Sequence, residues 1–197
     1  MYERNHNLIP VIDPEDYELT LVPDRSNEDS EVTLYLEDLK KMPSHMVVSA
    51  IACAGNRRDQ LKKEYEKVQG IKWRCGAIGN ALYKGVPLRY LFIEKLGLKE
   101  QDLKGKHLVA TSYDGDFQGK QYQISIPIEE ALRSENEVIL AYEMNGEDLP
   151  AEHGYPVRLI VPGYIGVRNA KWVQSLTISD EEANSVVQRR DYKIVKA

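Results

Sequence analysis

The sequence predicts an α+β fold in which mixed sheets are combined with short helices. Strand-like and helix-like segments follow one another without the regular alternation of a βαβ architecture. The apolar run at residues 47–54 has the length of a strand and is far too short to cross a bilayer. With 197 residues, 42% of them hydrophobic, and a mean hydropathy of −0.48, the chain can bury a core, and we expect one domain over residues 1–197.

The first half of the chain is predicted to contain three strands and three helices. Pro43 and Gly97 are typical of positions just beyond a helix, and Pro87 suits a first helical turn. The acidic stretch at 24–31 is predicted to be an exposed loop. We expect strands at Tyr17–Val22, Val32–Tyr35 and Val47–Ala52, and helices at Leu36–Met42, Asp59–Val68 and Pro87–Leu96.

The second half is predicted to consist mainly of strands. A short helix is expected to begin at Pro127, and Asn145-Gly146 indicates a tight turn. We expect strands at His107–Ser112, Tyr122–Ile126, Val138–Tyr142, Val157–Val161 and Trp172–Ile178.

Composition and charge exclude several classes of protein. The net charge of −5 argues against a general nucleic-acid binder, and two cysteines cannot form a disulfide framework. No signal peptide is recognisable at the start. The acidity is local: residues 1–38 hold 11 acids and 2 bases, whereas residues 153–179 hold three Lys/Arg and no acid. An anionic ligand is therefore expected near the second of these segments.

Cys53 stands where an apolar strand is predicted to end, and two arginines follow it in Cys-Ala-Gly-Asn-Arg-Arg. Neighbouring guanidinium groups favour a thiolate, which suits a nucleophile or a metal ligand. A buried structural cysteine is the alternative interpretation. Because Cys75 lies 22 residues away, no CxxC pair exists and a zinc site is not expected.

The stretch from His153 to Lys171 combines glycine-rich turns with cationic side chains, Arg158 and Arg168 among them. Such turns offer backbone N–H groups and charge-assisted hydrogen bonds to a phosphate. The glycine spacing matches neither the P-loop nor the dinucleotide fingerprint. An ordinary loop between strands is the alternative.

Several motifs, in order along the chain, resemble the molybdopterin-binding domain of the sulfite oxidase family. They are Cys53-Ala-Gly-Asn-Arg-Arg58, Trp73-Arg-Cys-Gly-Ala-Ile-Gly-Asn-Ala81, Gly85-Val-Pro-Leu88, Leu140-Ala-Tyr-Glu-Met-Asn-Gly146, His153-Gly-Tyr-Pro-Val-Arg158, Val161-Pro-Gly163, Gly166-Val-Arg168, Lys171-Trp172 and Gln188-Arg-Arg-Asp-Tyr-Lys193. The resemblance covers nearly the whole chain.

The resemblance implies an enzyme, a molybdopterin-dependent oxidoreductase that uses the molybdenum cofactor (Mo-molybdopterin). It implies that the Cys53 thiolate coordinates molybdenum together with the pterin dithiolene, in keeping with the affinity of the metal for soft sulfur. The residues implied to hold the pterin and its phosphate are Tyr2, Glu3, Arg4, Asn5, His6, Asp114, His153, Arg158, Asn169, Ala170 and Lys171. Those implied to line the oxyanion pocket as catalytic residues are Arg4, Arg58, Trp73 and Tyr192.

The implied reaction is oxidation of sulfite to sulfate by oxo transfer, with a cytochrome or oxygen as electron acceptor. Nitrate reductases share the domain, and the Glu143-Met144 pair and the ending around Tyr192 resemble the sulfite oxidases more closely. A nitrate-reductase-type domain stays the alternative. The expected partners are a small oxyanion and the acceptor, with no nucleic acid and no membrane span.

The chain also departs from the family pattern. We expect the haem domain and the C-terminal dimerisation domain to be absent, although a dimer stays compatible with the sequence. Gln69 stands where animal members usually carry Lys, and Tyr2 and Glu3 replace Phe and an apolar residue. The chain is expected to be soluble, mitochondrial or cytoplasmic rather than secreted. Two further interpretations stay open: a cofactor-binding protein without full activity, and an interaction module with a structural Cys53.

Overall fold

The computed structural model describes residues 2–5, 7–65, 68, 70–71, 73–115 and 119–193. Within these residues, ten strands form two five-stranded sheets, which confirms the predicted α+β class with mixed sheets and short helices. The strands are β1 Glu18–Val22, β2 Val32–Tyr35, β3 His45–Ala52, β4 Ile78–Pro87, β5 His107–Gly115, β6 Gln121–Pro127, β7 Ile139–Met144, β8 Glu147–Asp148, β9 Arg158–Ile160 and β10 Val173–Ser179.

The helices are short and lie at the ends of strands. The α-helices are α1 Leu36–Lys41, α2 Arg58–Glu64, α3 Glu100–Leu103 and α4 Ile128–Leu132. Wider, π-helical turns occupy Tyr90–Lys95 and Val187–Asp191, and 3₁₀ turns occupy Glu28–Ser30, Ser134–Asn136, Ala151–His153 and Gly166–Arg168.

The first sheet has the strand order β2-β1-β10-β5-β6. The β1–β10 pair is parallel and the other pairs are antiparallel. The second sheet has the order β3-β4-β7-β8, with β9 also paired to β7, and all its pairs are antiparallel. Only the first sheet is therefore mixed in direction, and its parallel pair brings residues near the start of the chain beside residues near its end.

The main hydrophobic core joins the two sheets. Leu19, Leu108 and Leu176 come from the first sheet, Val86 and Leu140 come from the second, and all five are fully buried. A smaller cluster that includes Val47, Ile51 and Tyr83 packs on the second sheet. The ends of β3 and β5 and the starts of β9 and β10 are thereby held around one region, where the candidate site lies.

Strand β4 is the main difference between the sequence-based prediction and the structure. No strand was predicted at 78–87. Pro87 ends β4, and the helix expected from Pro87 begins one residue later at Leu88 and continues into the π-helical turn Tyr90–Lys95. Gly85 lies at a break in the β4–β7 register, and a Cβ on it would lie 1.9 Å from the Leu140 carbonyl oxygen. Glycines, which normally weaken a strand, are here required by the close approach of β7.

The other predicted elements agree with the structure to within four residues. Helix α2 differs most, because it ends at Glu64, four residues before the predicted end. Strand β8, helix α3 and the turn Val187–Asp191 were not predicted. Within the described residues, none of the helices has the length and apolar character needed to cross a membrane.

Candidate functional site

A cleft opens where β3 and β5 end and β10 begins. It encloses about 750 Å³ not filled by protein atoms, counting its open mouth. Its lining includes eleven of the fifteen residues that the sequence analysis selected, namely Tyr2, Arg4, Asn5, Cys53, Asp114, His153, Arg158, Asn169, Ala170, Lys171 and Tyr192. Residues far apart in the chain therefore meet at one place, and Asn5 and Lys171, 166 positions apart, are hydrogen-bonded there.

Cys53 follows the last residue of β3 and is half-buried. Its N–H donates to the Ala77 carbonyl oxygen at 2.9 Å, and its carbonyl accepts from the Asn56 N–H at 2.9 Å. The Asn56 side chain in turn accepts from the Ala77 N–H at 3.1 Å, which closes the turn. The Gly55 N–H lies 3.4 Å from the Cys53 sulfur. The sulfur is thus held at the cleft by backbone contacts and has a donor beside it.

Arg158 is buried beneath the cleft with 2% of its surface exposed. One terminal nitrogen donates to the His153 carbonyl at 2.8 Å and the other to the Asn169 carbonyl at 3.2 Å. Its Nε is buried and has no hydrogen-bond partner. Its guanidinium also lies 5.6 Å from the centroid of the Tyr83 ring. A buried cation with an unsatisfied donor is an unusual and costly arrangement unless an anion approaches it.

Lys171 lies beside Arg158 on the same side of the cleft. Its ammonium donates to the Asn5 side-chain oxygen and to the Glu152 carbonyl, each at 2.6 Å. Burial and the neighbouring Arg158 charge lower the pKa of Lys171 to about 7. Gly154 lies between the two cations, and a Cβ there would come within 3.0 Å of the Cβ atoms of both. The glycine thus allows the two side chains to converge.

His153 completes the group of cationic residues. Burial first, and then the charges of Lys171 and Arg158, lower the pKa of its imidazole. Across the described residues, no carboxylate lies within 4.0 Å of a nitrogen of His153, Arg158 or Lys171. We call these three residues the cation cluster. The carboxylates of Glu3 and Glu152 act on His153 and Lys171 from a greater distance, without forming an ion pair with them. The unsatisfied Nε of Arg158 and the charge of Lys171 fit an anionic group such as a phosphate.

Polar side chains at the other edges of the cleft are also partly withdrawn from water. Burial raises the pKa of Asp114 to about 6 and that of Tyr2 to about 12, and the charge of Cys53 adds to the shift at Tyr2. The Asn169 amide accepts from the Val161 N–H at 2.7 Å and donates to the Tyr164 and Ile165 carbonyls. Asn169 therefore holds the adjacent turn together through its side chain.

Three predicted residues among those described, Glu3, Arg58 and Trp73, do not line the cleft. His6 lies outside the described residues. Glu3 is exposed, and its carboxylate lies with Glu152 and His153 in a group whose ligand atoms are within 4.8 Å of one another. Arg58 and Trp73 are next to the Cys53 turn: the Arg58 N–H donates to the Gly55 carbonyl, and the Trp73 carbonyl accepts from Asp59.

Arg58 is held between two glycines. A Cβ on Gly55 would lie 2.9 Å from its guanidinium and one on Gly70 would lie 2.8 Å from it, and its Nη1 donates to the Ile71 carbonyl at 3.0 Å. The backbone of Trp73 continues this segment and accepts from the Asp59 N–H at 3.1 Å. Arg58 nevertheless lies close enough to Tyr192 to oppose the rise that burial causes in the pKa of that tyrosine.

Sequence reasoning missed six lining residues: Ile51, Ala54, Tyr122, Gly166, Val167 and Trp172. Gly166 had a recognisable signal, because a glycine in a glycine-rich turn allows close backbone approach. A Cβ there would lie 3.4 Å from both the Ala52 carbonyl and the Tyr2 hydroxyl. Tyr122 is a buried strand residue whose hydroxyl donates to the Val167 carbonyl at 2.9 Å. The sequence alone contains no sign of that contact.

Comparison with known proteins shows which family the chain belongs to. The family model described as "Oxidoreductase molybdopterin binding domain" matches residues 6–187. The chain belongs to this family. The cofactor that the family implies is molybdopterin carrying molybdenum, whose phosphate suits the unpaired charge and unsatisfied Nε of the cation cluster.

Individual relatives support the same assignment. A mitochondrial sulfite oxidase of Drosophila melanogaster is 42% identical over 192 residues, which is 98% of this chain and 32% of that protein. A nitrate reductase [NADH] 2 of Phaseolus vulgaris is 29% identical over 204 residues, covering 98% of this chain and 22% of that protein. The chain is thus a molybdopterin-binding oxidoreductase domain homologous to both, and it spans about a third of the length of the mitochondrial sulfite oxidases that it matches.

A solved structure shares the fold. The sulfane dehydrogenase SoxCD of Paracoccus pantotrophus superposes with a TM-score of 0.77 at 30% identity, over 96% of this chain and 45% of that one. The two-sheet architecture is therefore that of an oxidoreductase domain of known structure.

Proposed function

We propose that this domain binds molybdenum through the Cys53 thiolate and oxidises sulfite to sulfate. One observation supports the proposal most: the Cys53 sulfur and the unpaired cation cluster line the same cleft. A soft sulfur ligand suits molybdenum, and the cluster suits the phosphate of the pterin. One cleft therefore offers partners for both ends of the cofactor.

The cation cluster is proposed to bind the cofactor's phosphate. Arg158 supplies a buried donor without a partner, Lys171 adds an ammonium group, and the His153 imidazole lines the same cleft. Asn5 keeps the Lys171 ammonium in place through its side-chain oxygen. Tyr2, Asp114, Asn169 and Ala170 are proposed to shape the pterin pocket. The family resemblance adds Glu3 and His6 to the proposed cofactor-binding set.

The substrate is proposed to bind between Cys53, Arg4 and Tyr192, all of which line the cleft. Arginine forks and a tyrosine hydroxyl are suitable donors for an oxyanion. Arg58 and Trp73 are proposed to complete this pocket next to the Cys53 turn. Together these side chains attract and orient the sulfite anion and exchange its hydration shell for fixed donors.

The bound cofactor supplies oxygen-atom transfer and takes up two electrons. The balanced reaction is sulfite plus water giving sulfate, two protons and two electrons. The electrons are proposed to pass to an acceptor such as a cytochrome or oxygen. No protein acid or base is required for the attack of the sulfur lone pair, so the residues of the pocket have a binding and orienting role.

Nitrate reduction is the second candidate, because a nitrate reductase shares the domain at 29% identity. The sulfite oxidase of Drosophila is closer at 42%. The Glu143-Met144 pair, which favoured sulfite in the sequence, does not line the cleft. The Glu143 carboxylate pairs with Lys84 at 2.7 Å. Choice of substrate must therefore come from the lining residues themselves.

The decisive experiment compares wild-type protein with Cys53→Ser and Cys75→Ser, all produced in a host that makes the cofactor. Cys75 is an exposed cysteine outside the cleft and is the matched control. We expect about one molybdenum per chain for a single thiolate site in wild type and Cys75→Ser, and a change of the visible spectrum on sulfite addition that Cys53→Ser lacks.

The same experiment separates the alternatives. Nitrate-dependent reoxidation without reduction by sulfite would favour the reductase. Bound metal and pterin without any response to sulfite or nitrate would indicate a cofactor-binding protein without turnover. Absence of metal from matured protein would contradict the proposal and leave an interaction module in which Cys53 is structural.

A further inference from the structure

Arg168 is a second buried arginine close to the cleft, outside the cation cluster. It ends the turn Gly166–Arg168 and has 3% of its surface exposed. Among the described residues no carboxylate lies within 4.0 Å of its guanidinium, and its Nη1 is buried without a hydrogen-bond partner. Burial lowers the pKa of the guanidinium. Burying an arginine without a carboxylate partner costs free energy. The hydrogen bond that Arg168 does make therefore indicates its role.

That contact reaches the wall of the proposed substrate pocket. Nη2 of Arg168 donates to the carbonyl oxygen of Tyr192 at 3.0 Å. Tyr192 follows the turn Val187–Asp191, and its own N–H donates to the Val187 carbonyl at 3.1 Å. A cationic donor at the C-terminal end of a helical turn satisfies a carbonyl that the turn leaves exposed. Arg168 therefore acts as a C-terminal cap for the segment that carries Tyr192.

The beginning of this segment has separate anchors. The Gln188 side chain accepts from the Ser125 N–H at 3.2 Å and donates to Glu182 at 3.1 Å. The Gln188 N–H donates to the Ser185 hydroxyl at 3.0 Å, and Val187 is fully buried. These contacts fix the start of the turn to β6 without Arg168. A substitution of Arg168 should therefore loosen the end of the segment at Tyr192 without loosening its start.

The turn that carries Arg168 is itself tied to the proposed metal ligand. Gly166 approaches the Ala52 carbonyl, directly before Cys53, closely enough that a Cβ would lie 3.4 Å from it. The Val167 carbonyl accepts from the Tyr122 hydroxyl at 2.9 Å. One short turn therefore contacts the strand end that presents Cys53 and, through Arg168, the segment that presents Tyr192.

We propose that Arg168 is a positioning residue that fixes Tyr192 in the cleft relative to Cys53. The consequence for sulfite rests on the proposed function, whereas the positioning of Tyr192 does not. A donor that contacts substrate equally before and during the reaction contributes to binding and not to turnover. Loosening Tyr192 should therefore raise KM for sulfite and leave kcat nearly unchanged.

The test uses cofactor-loaded wild type, Arg168→Met, Arg168→Lys and, as the matched control, Arg190→Met. Arg190 is on the same turn, but its side chain is 67% exposed. The first readout is amide hydrogen exchange along residues 183–193. We expect faster exchange confined to residues 191–193 in Arg168→Met, a smaller effect in Arg168→Lys, which keeps a charged donor, and no change in Arg190→Met.

The second readout is steady-state kinetics with sulfite, where Arg168→Met should raise KM roughly tenfold and change kcat less than about threefold. Unchanged exchange at 191–193 would overturn the proposal, and so would faster exchange spread evenly over 183–193, since that indicates a general structural role. If Arg168→Met does not fold, the same criteria apply to Arg168→Lys. If sulfite fails to reduce wild type, the proposed substrate is wrong, and the exchange data still decide the role of Arg168.

Discussion

Arg158 donates a hydrogen bond of 2.8 Å to the carbonyl oxygen of His153, five residues earlier in the chain. The bond closes the turn through Gly154, so the Arg158 guanidinium holds the backbone of His153 in place. The geometry concentrates positive charge before any ligand binds. Pre-organised charge of this kind binds an anion without the cost of assembling the site.

Replacing Arg158 tests whether this bond supports the fold as well as the site. Arg158→Gln leaves the buried carbonyls of His153 and Asn169 without one or both donors, and we expect a loss of roughly 1–3 kcal/mol in the free energy of unfolding. Urea denaturation of the cofactor-free protein measures it. Arg133→Gln is the control because Arg133 is an exposed residue paired with Glu130, and it should change stability by less than about 0.5 kcal/mol. Equal effects of the two substitutions would contradict the assignment.

The Lys171 ammonium should make the free energy of unfolding depend on pH in the alkaline range. Its pKa of about 7 in the fold lies below the ordinary lysine value of about 10.4, so the unfolded chain binds the proton that the fold releases between these values. The free energy of unfolding of cofactor-free protein should therefore rise from pH 7 to 10, by at most about 1.4 kcal/mol per pH unit.

Lys171→Met should remove this rise, and Lys63→Met, at an exposed position on α2, should keep it. Denaturation at a series of pH values measures the difference. A rise that is the same in all three proteins would show that another group is responsible.

The Asp114 carboxyl should make the free energy of unfolding fall, not rise, with increasing pH, and it should do so in the acidic range. Burial raises the pKa of its carboxyl to about 6, so the fold binds a proton that the unfolded chain has released above about pH 4. The contribution of Asp114 to stability should decrease as the pH rises from 4 to 6. Asp114→Asn should therefore be more stable than wild type above pH 6, by roughly 1–2 kcal/mol, and similar to it at pH 4. Lower stability of the variant throughout would contradict this sign.

Gly85 is predicted to be the least replaceable glycine of the second sheet. In Gly85→Ala the new Cβ would lie 1.9 Å from the Leu140 carbonyl oxygen, so β4 and β7 must separate. We expect a loss of about 3 kcal/mol or more in unfolding free energy. Gly146→Ala is the control, since that glycine has a φ of 88° but open space around it, and about 1 kcal/mol is expected. A loss at Gly85 no larger than that at Gly146 would show that the sheet adapts.

The sequence predicted most of the fold because most strands carry their own signals. Alternating or continuous apolar residues identified β1, β3 and β10, and Pro43 marked the end of the first helix within two residues. Strand β4 could not be predicted, since its glycines and Pro87 argue locally against a strand. Its existence depends on pairing with β3 and β7, which local sequence does not contain.

Local signals alone indicated Cys53 and the basic turns, and the ordered motifs were needed to name the other residues of the candidate site. Cys53 and the cation cluster were visible as a thiol beside arginines and as glycine-rich basic turns, and the ordered motifs joined them into one site. Arg58 illustrates the limit, because its position between Gly55 and Gly70 follows from how two loops pack. Tyr122 contributes to the cleft through strand packing alone. Neither placement leaves a trace in composition or spacing.

The central claim is that the Cys53 sulfur is a ligand of molybdenum, and X-ray absorption at the molybdenum edge tests it most directly. Wild type, Cys53→Ser and Cys75→Ser, matured in the same host, are compared by the number of sulfur atoms around the metal. We expect one sulfur fewer in Cys53→Ser than in wild type, and no change in Cys75→Ser. An identical sulfur shell in all three proteins would contradict the claim.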